Sequence, residues 1–217
     1  MLELRAVANK MVEKGKGILA ADESTPTCTK RFESINTEST TESRNFYRNM
    51  LFTSEDIEKY ISGIILFDET FHQSELSSGM KFPEYLTSKN ILPGIKVDQG
   101  LEDFSPYETL TKGLDGLSER RGKYYALGAR FAKWRAVITP GDSIPTDDCI
   151  LANAKSLAKY AKKCQQANLV PIVEPEVLMD GAHTIDESFD ITSRTLNMVF
   201  DQLDDCLLYT SDAADDW

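Results

Sequence analysis

No two cysteines of this chain stand at the close spacing of a metal knuckle. Cys28, Cys149, Cys164 and Cys206 are scattered along 217 residues. That pattern supports neither a zinc ribbon nor a disulfide framework, and it fits reduced thiols in a reducing compartment. Long apolar runs are missing too. None approaches the ~20 residues that cross a bilayer, and residues 1–17 are amphipathic and lysine-rich where a leader would need an apolar core. Basic charge is in deficit: the formal net charge is -11. This argues against a nucleic-acid or anionic-membrane partner, because both select for basic surface. Much of the acidity sits in the last 17 residues, which hold six acids and no base, so the body is only mildly acidic. No glycine-rich dinucleotide fingerprint follows the first apolar run. Internal repeats and low-complexity linkers are also missing, and a single domain is the expectation. The expectation is a soluble cytoplasmic protein.

What is present is enough apolar sequence for a packed core, 41% of residues against 27% charged. Short apolar runs begin near residues 18, 63, 94, 131 and 170, and helical stretches separate them. The clearest helix spans 148–166, with Leu151, Ala154, Leu157, Ala158, Ala161 and Cys164 on one stripe. Others are expected over 2–13, 45–51 and 185–203. Pro26 reads as a first helical residue with Thr25 as the cap. Strands alternating with helices of this size imply a parallel sheet.

Charges interrupt these runs. Lys96 and Asp98 alternate with Ile95 and Val97, while Lys133 and Arg135 flank Trp134. Asp22 and Glu174 close apolar runs of their own. Residues two apart share one side of a strand, and central parallel strands are normally continuous apolar runs. Buried charges are paired or functional. In a parallel (β/α) barrel the C-terminal strand ends meet at one mouth, where catalytic residues gather. Asp22, Lys96, Lys133, Arg135 and Glu174 are therefore candidate mouth residues. A lysine and carboxylate cluster fits proton transfer beside a carbonyl, phosphate-sugar isomerisation and Schiff-base chemistry alike.

Five strings narrow this choice: GKGILAADES (15–24), GIKVD (94–98), GLDGLSER (113–120), FAKWR (131–135) and VPIVEPE (170–176). In this order they resemble class I (Schiff-base) fructose-bisphosphate aldolases, over about residues 1–205. The resemblance implies an α/β fold, a (β/α)8 TIM barrel with about its first five β/α units present. It implies reversible cleavage of fructose 1,6-bisphosphate to dihydroxyacetone phosphate and glyceraldehyde 3-phosphate, through a lysine iminium and without cofactor or metal. Only two histidines, His72 and His183, are present, and both read as surface or structural. By resemblance Asp22 takes the C4 hydroxyl proton, and Glu174 is the general acid/base for making and breaking the Schiff base. Lys133 sits beside the nucleophile and pairs with Glu174, and Glu176 supports that network. Ser24, Thr27 and Lys96 match the 6-phosphate site. Arg31 and Arg44 match substrate-binding positions, and Arg135 joins the substrate-facing set. Pro26 departs from the family's usual glycine.

A sixth strand with a Leu-Leu-Lys-Pro-Asn string, bearing the Schiff-base lysine, does not occur in the 217 residues. Residues 206–217 read as a non-family tail. The expectation is a partial barrel over 1–205 that is inactive alone, from an intact homotetrameric parent acting on a phosphorylated sugar. The alternatives are a truncated chain serving as a binding or scaffold module, or another sugar-phosphate enzyme on the same fold, which five ordered strings disfavour.

Overall fold

The computed structural model describes residues 2–206. The chain divides into two compact units. One comprises Leu2–Lys96 and Tyr124–Ala132, and the other comprises Val97–Lys123 and the residues from Lys133 onward.

The first unit runs α1 (Leu2–Met11), β1 (Gly17–Ala21), α2 (Thr25–Glu33), α3 (Thr41–Phe52), α4 (Ile57–Tyr60), β2 (Ile61–Leu66), α5 (Asp68–His72), α6 (Phe82–Ser88) and β3 (Leu92–Lys96). An antiparallel hairpin follows, β4 (Leu101–Ser105) and β5 (Glu108–Thr111), then α7 (Leu117–Ala126) and β6 (Phe131–Ile138). The chain continues through α8 (Asp147–Gln165), β7 (Val170–Val177) and α9 (Ile185–Cys206).

The main sheet has the order β1-β2-β3-β6-β7. Its strands follow the chain, with only the hairpin set aside. A doubly wound sheet reverses its order at a switch point. Sequential parallel strands with helical crossovers are the pattern of a (β/α) barrel. The fold class is α/β, matching the first five β/α units of that barrel. The strands lie where the apolar runs predict them. The hairpin was not foreseen. Its first strand is almost wholly exposed, so it lacks the alternation that marks a half-buried strand. Tyr107 at φ 71 closes its turn without a glycine. The expected tail lies outside the described residues from 207 on, and Cys206 ends α9.

In the first unit, glycines in β2 and β3 make room for one aromatic ring. A Cβ on Gly94 would stand 2.2 Å from the Phe131 ring, and one on Gly63 would stand 2.9 Å from it. Phe131 is fully buried there. Alternation puts Lys96 on the same side of β3 as Gly94. Between α5 and α6 the buried Glu75 carboxylate closes a turn. It accepts Ser78 N–H and O–H, each at 2.6 Å, and Ser77 N–H at 2.8 Å.

In the second unit, the side of β6 that carries Trp134 meets α8. The Trp134 and Tyr160 rings lie 5.4 Å apart, and both side chains are fully buried. Burial holds the Tyr160 phenol well above its usual pKa. The helix starts with Thr146 accepting from Cys149 N–H, and acids in its first turn with lysines in its last oppose the helix dipole. Glu108 fastens the hairpin to this cap, accepting Thr146 N–H at 2.7 Å and Ser105 O–H at 2.6 Å. The GLDGLSER string is structural: Arg120 donates to the carbonyls of Val97 at 3.0 Å and Gly113 at 2.6 Å. Gly113, at φ +130, lies where a Cβ would come within 3.1 Å of Trp134. Ile191, Thr195, Val199 and Leu203 form the buried stripe of α9, which packs on α8.

Two stability predictions follow from the first unit. Gly94→Ala overpacks the Phe131 site and is expected to cost about 3 kcal/mol, read by urea unfolding; an unchanged midpoint would refute the packing account. The Ser78 hydroxyl, then the Ser77 and Ser78 amides, hold the Glu75 carboxyl at about 2, below the roughly 4.3 of an unfolded glutamate. A depressed folded-state pKa stabilises above the unfolded value, and the gain disappears as pH falls from there toward 2. Glu75→Gln is therefore expected to lower the melting temperature at pH 7 and to do so less at pH 3. An equal loss at both pH values would contradict this.

Candidate active site

The first unit carries the βα turn after β1. Asp22 is buried immediately beyond the strand. Ser24 then takes the cap position of α2 with extended φ/ψ, -65 and 161, and its carbonyl accepts Cys28 N–H at 2.9 Å. The expected cap, Thr25, is instead the first helical residue, and Pro26 falls within the first turn. The shift has a simple cause: a proline nitrogen carries no hydrogen, so either of the first two positions suits it. The Ser24 side chain makes no capping bond; its hydroxyl lies 3.1 Å from that of Thr27. Lys96 ends β3, half-buried.

The two arginines expected at substrate have protein partners. Arg31, on the last turn of α2, pairs with Glu23. Arg44 forms a two-pronged contact with Glu69, Nε at 2.8 Å and Nη2 at 2.6 Å, and donates to the Ser39 carbonyl at 3.0 Å. The Glu69 hydrogen bonds raise the pKa of Arg44. Forked pairs of this kind are geometrically demanding, and this one ties α3 to α5. Glu23 and Arg48 were not singled out by sequence reasoning. Arg48 is 2% exposed, and a cation inside the apolar stripe of α3 was the available signal.

In the second unit, β6 and β7 carry a ladder of two ion pairs. Lys133 Nζ lies 2.8 Å from Glu174 Oε2, with the side chains 10% and 38% exposed. That approach is an ion pair outside hydrogen-bonding geometry. Two residues further along each strand, Arg135 pairs with Glu176. Period-two alternation puts both rungs on one side, opposite Trp134. Arg135 N–H also donates to Asp98 at 3.3 Å, and the Glu176 hydrogen bond raises the Arg135 pKa. Val97 N–H donates to the Lys133 carbonyl at 3.0 Å, fixing that rung's backbone. Among the described residues no cluster of three or more His, Cys, Asp or Glu is placed to hold a metal, and no helix is long and apolar enough to cross a membrane. A cleft of about 360 Å³ in this unit is lined by Ser143–Pro145 and one face of α9, and none of the candidate residues contributes to it.

Lys133 and Arg135 lie within β6 rather than at its end, and with Glu174 and Glu176 they form a charged side of two adjacent strands in a partial (β/α) barrel sheet, which defines the class as α/β. The comparisons with known proteins name the family. The family model "Glycolytic: Fructose-bisphosphate aldolase class-I" matches residues 3–212. A probable fructose-bisphosphate aldolase class 1 of Xanthomonas axonopodis pv. citri is 51% identical over 203 residues, covering 93% of this chain and 60% of that protein. Fructose-bisphosphate aldolase 1 of Toxoplasma gondii is 51% identical over 207 residues, covering 94% and 57%. A solved Plasmodium falciparum fructose-bisphosphate aldolase, in complex with TRAP and a small-molecule inhibitor, superposes with TM-score 0.90 at 49% identity, covering 93% of this chain and 59% of that one. The chain belongs to the class I fructose-bisphosphate aldolase family, and it spans about 60% of the length of such relatives.

The ladder predicts coupling. Glu174→Gln removes the counter-charge of a nearly buried ammonium, and Lys133→Met removes the ammonium itself. Each is expected to cost about 1–2 kcal/mol, with the double variant losing less than the two losses combined. Strictly additive losses in urea unfolding would show that the pair does not interact.

Proposed function

We propose that the protein carrying this chain is a glycolytic and gluconeogenic aldolase, cleaving fructose 1,6-bisphosphate reversibly to dihydroxyacetone phosphate and glyceraldehyde 3-phosphate. The observation that carries the reading is a lysine amine and a glutamate 2.8 Å apart on adjacent strands, in a chain of this family. A lysine amine attacks the C2 ketone and water leaves, giving an iminium. The C4 hydroxyl then gives its proton to Asp22, and the C3–C4 bond breaks. Its electron pair flows into the iminium, leaving an enamine, and glyceraldehyde 3-phosphate departs. Protonation at C3 and hydrolysis release dihydroxyacetone phosphate and regenerate the amine. Glu174 moves protons as the carbinolamine and iminium form and decay, a task for a carboxyl within reach of the reacting amine. Lys133 keeps a second positive charge near that amine, which disfavours protonation of the nucleophile. Glu176 and Arg135 hold the ladder in register.

Ser24, Thr27 and Lys96 are proposed to take the 6-phosphate. Two hydroxyls and amides at a helix start, with a cation, suit a phosphate dianion. Arg31 and Arg44 join them in binding substrate. The working protein is proposed to be a cytoplasmic homotetramer that engages neither nucleic acid nor membrane, as its acidic charge favours.

The iminium-forming amine is proposed to lie on a sixth strand, outside residues 1–217. Incubation of the 217-residue chain with dihydroxyacetone phosphate and borohydride is then expected to add no covalent mass, whereas a chain extended through that strand gains one ligand. Mass gained by the 217-residue chain would make a lysine here, Lys96 or Lys133, the nucleophile and overturn this assignment.

A further inference from the structure

Glu23 gathers more partners than a turn between strand and helix requires. It lies between buried Asp22 and the cap residue Ser24. Its side chain, 11% exposed, receives the Arg31 guanidinium. It also accepts the Tyr47 hydroxyl at 3.0 Å and meets Arg48 Nη1 at 2.7 Å. Arg48 Nη2 donates in addition to the Glu23 carbonyl at 2.9 Å, so α3 grips both the main chain and the side chain of this residue.

The two guanidiniums are not equivalent. The Arg48 side chain is 3% exposed, with its Cζ 5.0 Å from the Tyr47 ring centroid. A buried carboxylate needs a counter-charge, and Arg48 supplies it. The Arg31 side chain is 58% exposed, so its charge is not needed to neutralise Glu23. Ser24, Thr27 and Arg31 recur at i, i+3 and i+7, which places them along one face of α2. An untethered surface arginine samples many rotamers and gives up that freedom on binding. Contact with Glu23 removes most of that freedom before any ligand arrives.

From this geometry we infer that Glu23 is the positioning residue for Arg31: held by Arg48 and Tyr47, it presents the Arg31 guanidinium on the face of α2 that receives a phosphate ester. The inference rests on the proposed phosphate-binding role of Ser24, Thr27 and Arg31. Arg31 touches substrate, and Glu23 acts through it.

The test is a double-variant cycle on the 217-residue chain, with fructose 1,6-bisphosphate titrated by calorimetry. Arg31→Ala is expected to weaken binding about tenfold. Glu23→Gln is expected to weaken it about fourfold when Arg31 is present and to change nothing in the Arg31→Ala background. An equal loss in both backgrounds would mean that Glu23 only shapes the turn, and the inference falls. It falls equally if Glu23→Gln binds as tightly as the parent chain. Unchanged binding in both Arg31→Ala and Ser24→Ala removes the phosphate reading itself, and the positioning role with it. Should Glu23→Gln not fold, Tyr47→Phe deletes a single hydrogen bond to the same carboxylate. A loss of about twofold that vanishes with Arg31→Ala supports the inference, and a loss independent of Arg31 refutes it.

Discussion

Two ion pairs on one side of β6 and β7 constrain everything around them. An ammonium with only a tenth of its side chain exposed is tolerable because a carboxylate stands 2.8 Å away. The Arg135–Glu176 rung repeats the contact two residues on, so the register of two parallel strands is tied to charge as well as to the backbone. A slip by one residue would turn both rungs away and bring Trp134 to the polar side. Trp134 is pinned opposite by Tyr160, and Gly113 is held to a glycine by the same indole. Chemistry on one side of β6 and packing on the other thus enforce a single arrangement.

The first unit solves a different problem, that of placing hydroxyls and cations at a helix start. Ser24 leaves its hydroxyl out of the cap, and Glu23 is gripped from α3 by Arg48. Arg44, superficially similar to Arg31, is committed elsewhere: Glu69 and Ser39 occupy its fork. That two-pronged charged contact fixes Arg44 against α5, whereas Arg31 is held at the surface by a carboxylate that Arg48 already neutralises. The two arginines therefore differ in burial and in how tightly protein partners hold them.

Period and composition made the strands legible. Each apolar run near 18, 63, 94, 131 and 170 became a strand, with starts shifted by two residues or fewer. Lys133 and Glu174, expected to pair, do pair. The hairpin Leu101–Ser105 and Glu108–Thr111 stayed hidden because an exposed two-stranded ribbon has no buried face to impose alternation. The α2 cap was misplaced by one residue, since proline accepts either of the first two helical positions. The start of α9 carried a readable sign that was passed over: Thr184 and Glu187 exchange bonds as a capping box, at 2.6 Å and 3.2 Å.

Sequence alone determined the order of β/α units, the family, and which strands would carry charge, because these depend on local periodicity and on strings of adjacent residues. Tertiary structure alone decided which charges are spoken for. That Glu23 belongs to Arg48 and Tyr47, that Arg44 belongs to Glu69, and that Gly94 exists for the ring of Phe131 are facts about side chains between 24 and 37 positions apart. Such pairings arise only when packing brings distant segments within a few ångströms, where burial makes an unmatched charge costly and an extra carbon impossible.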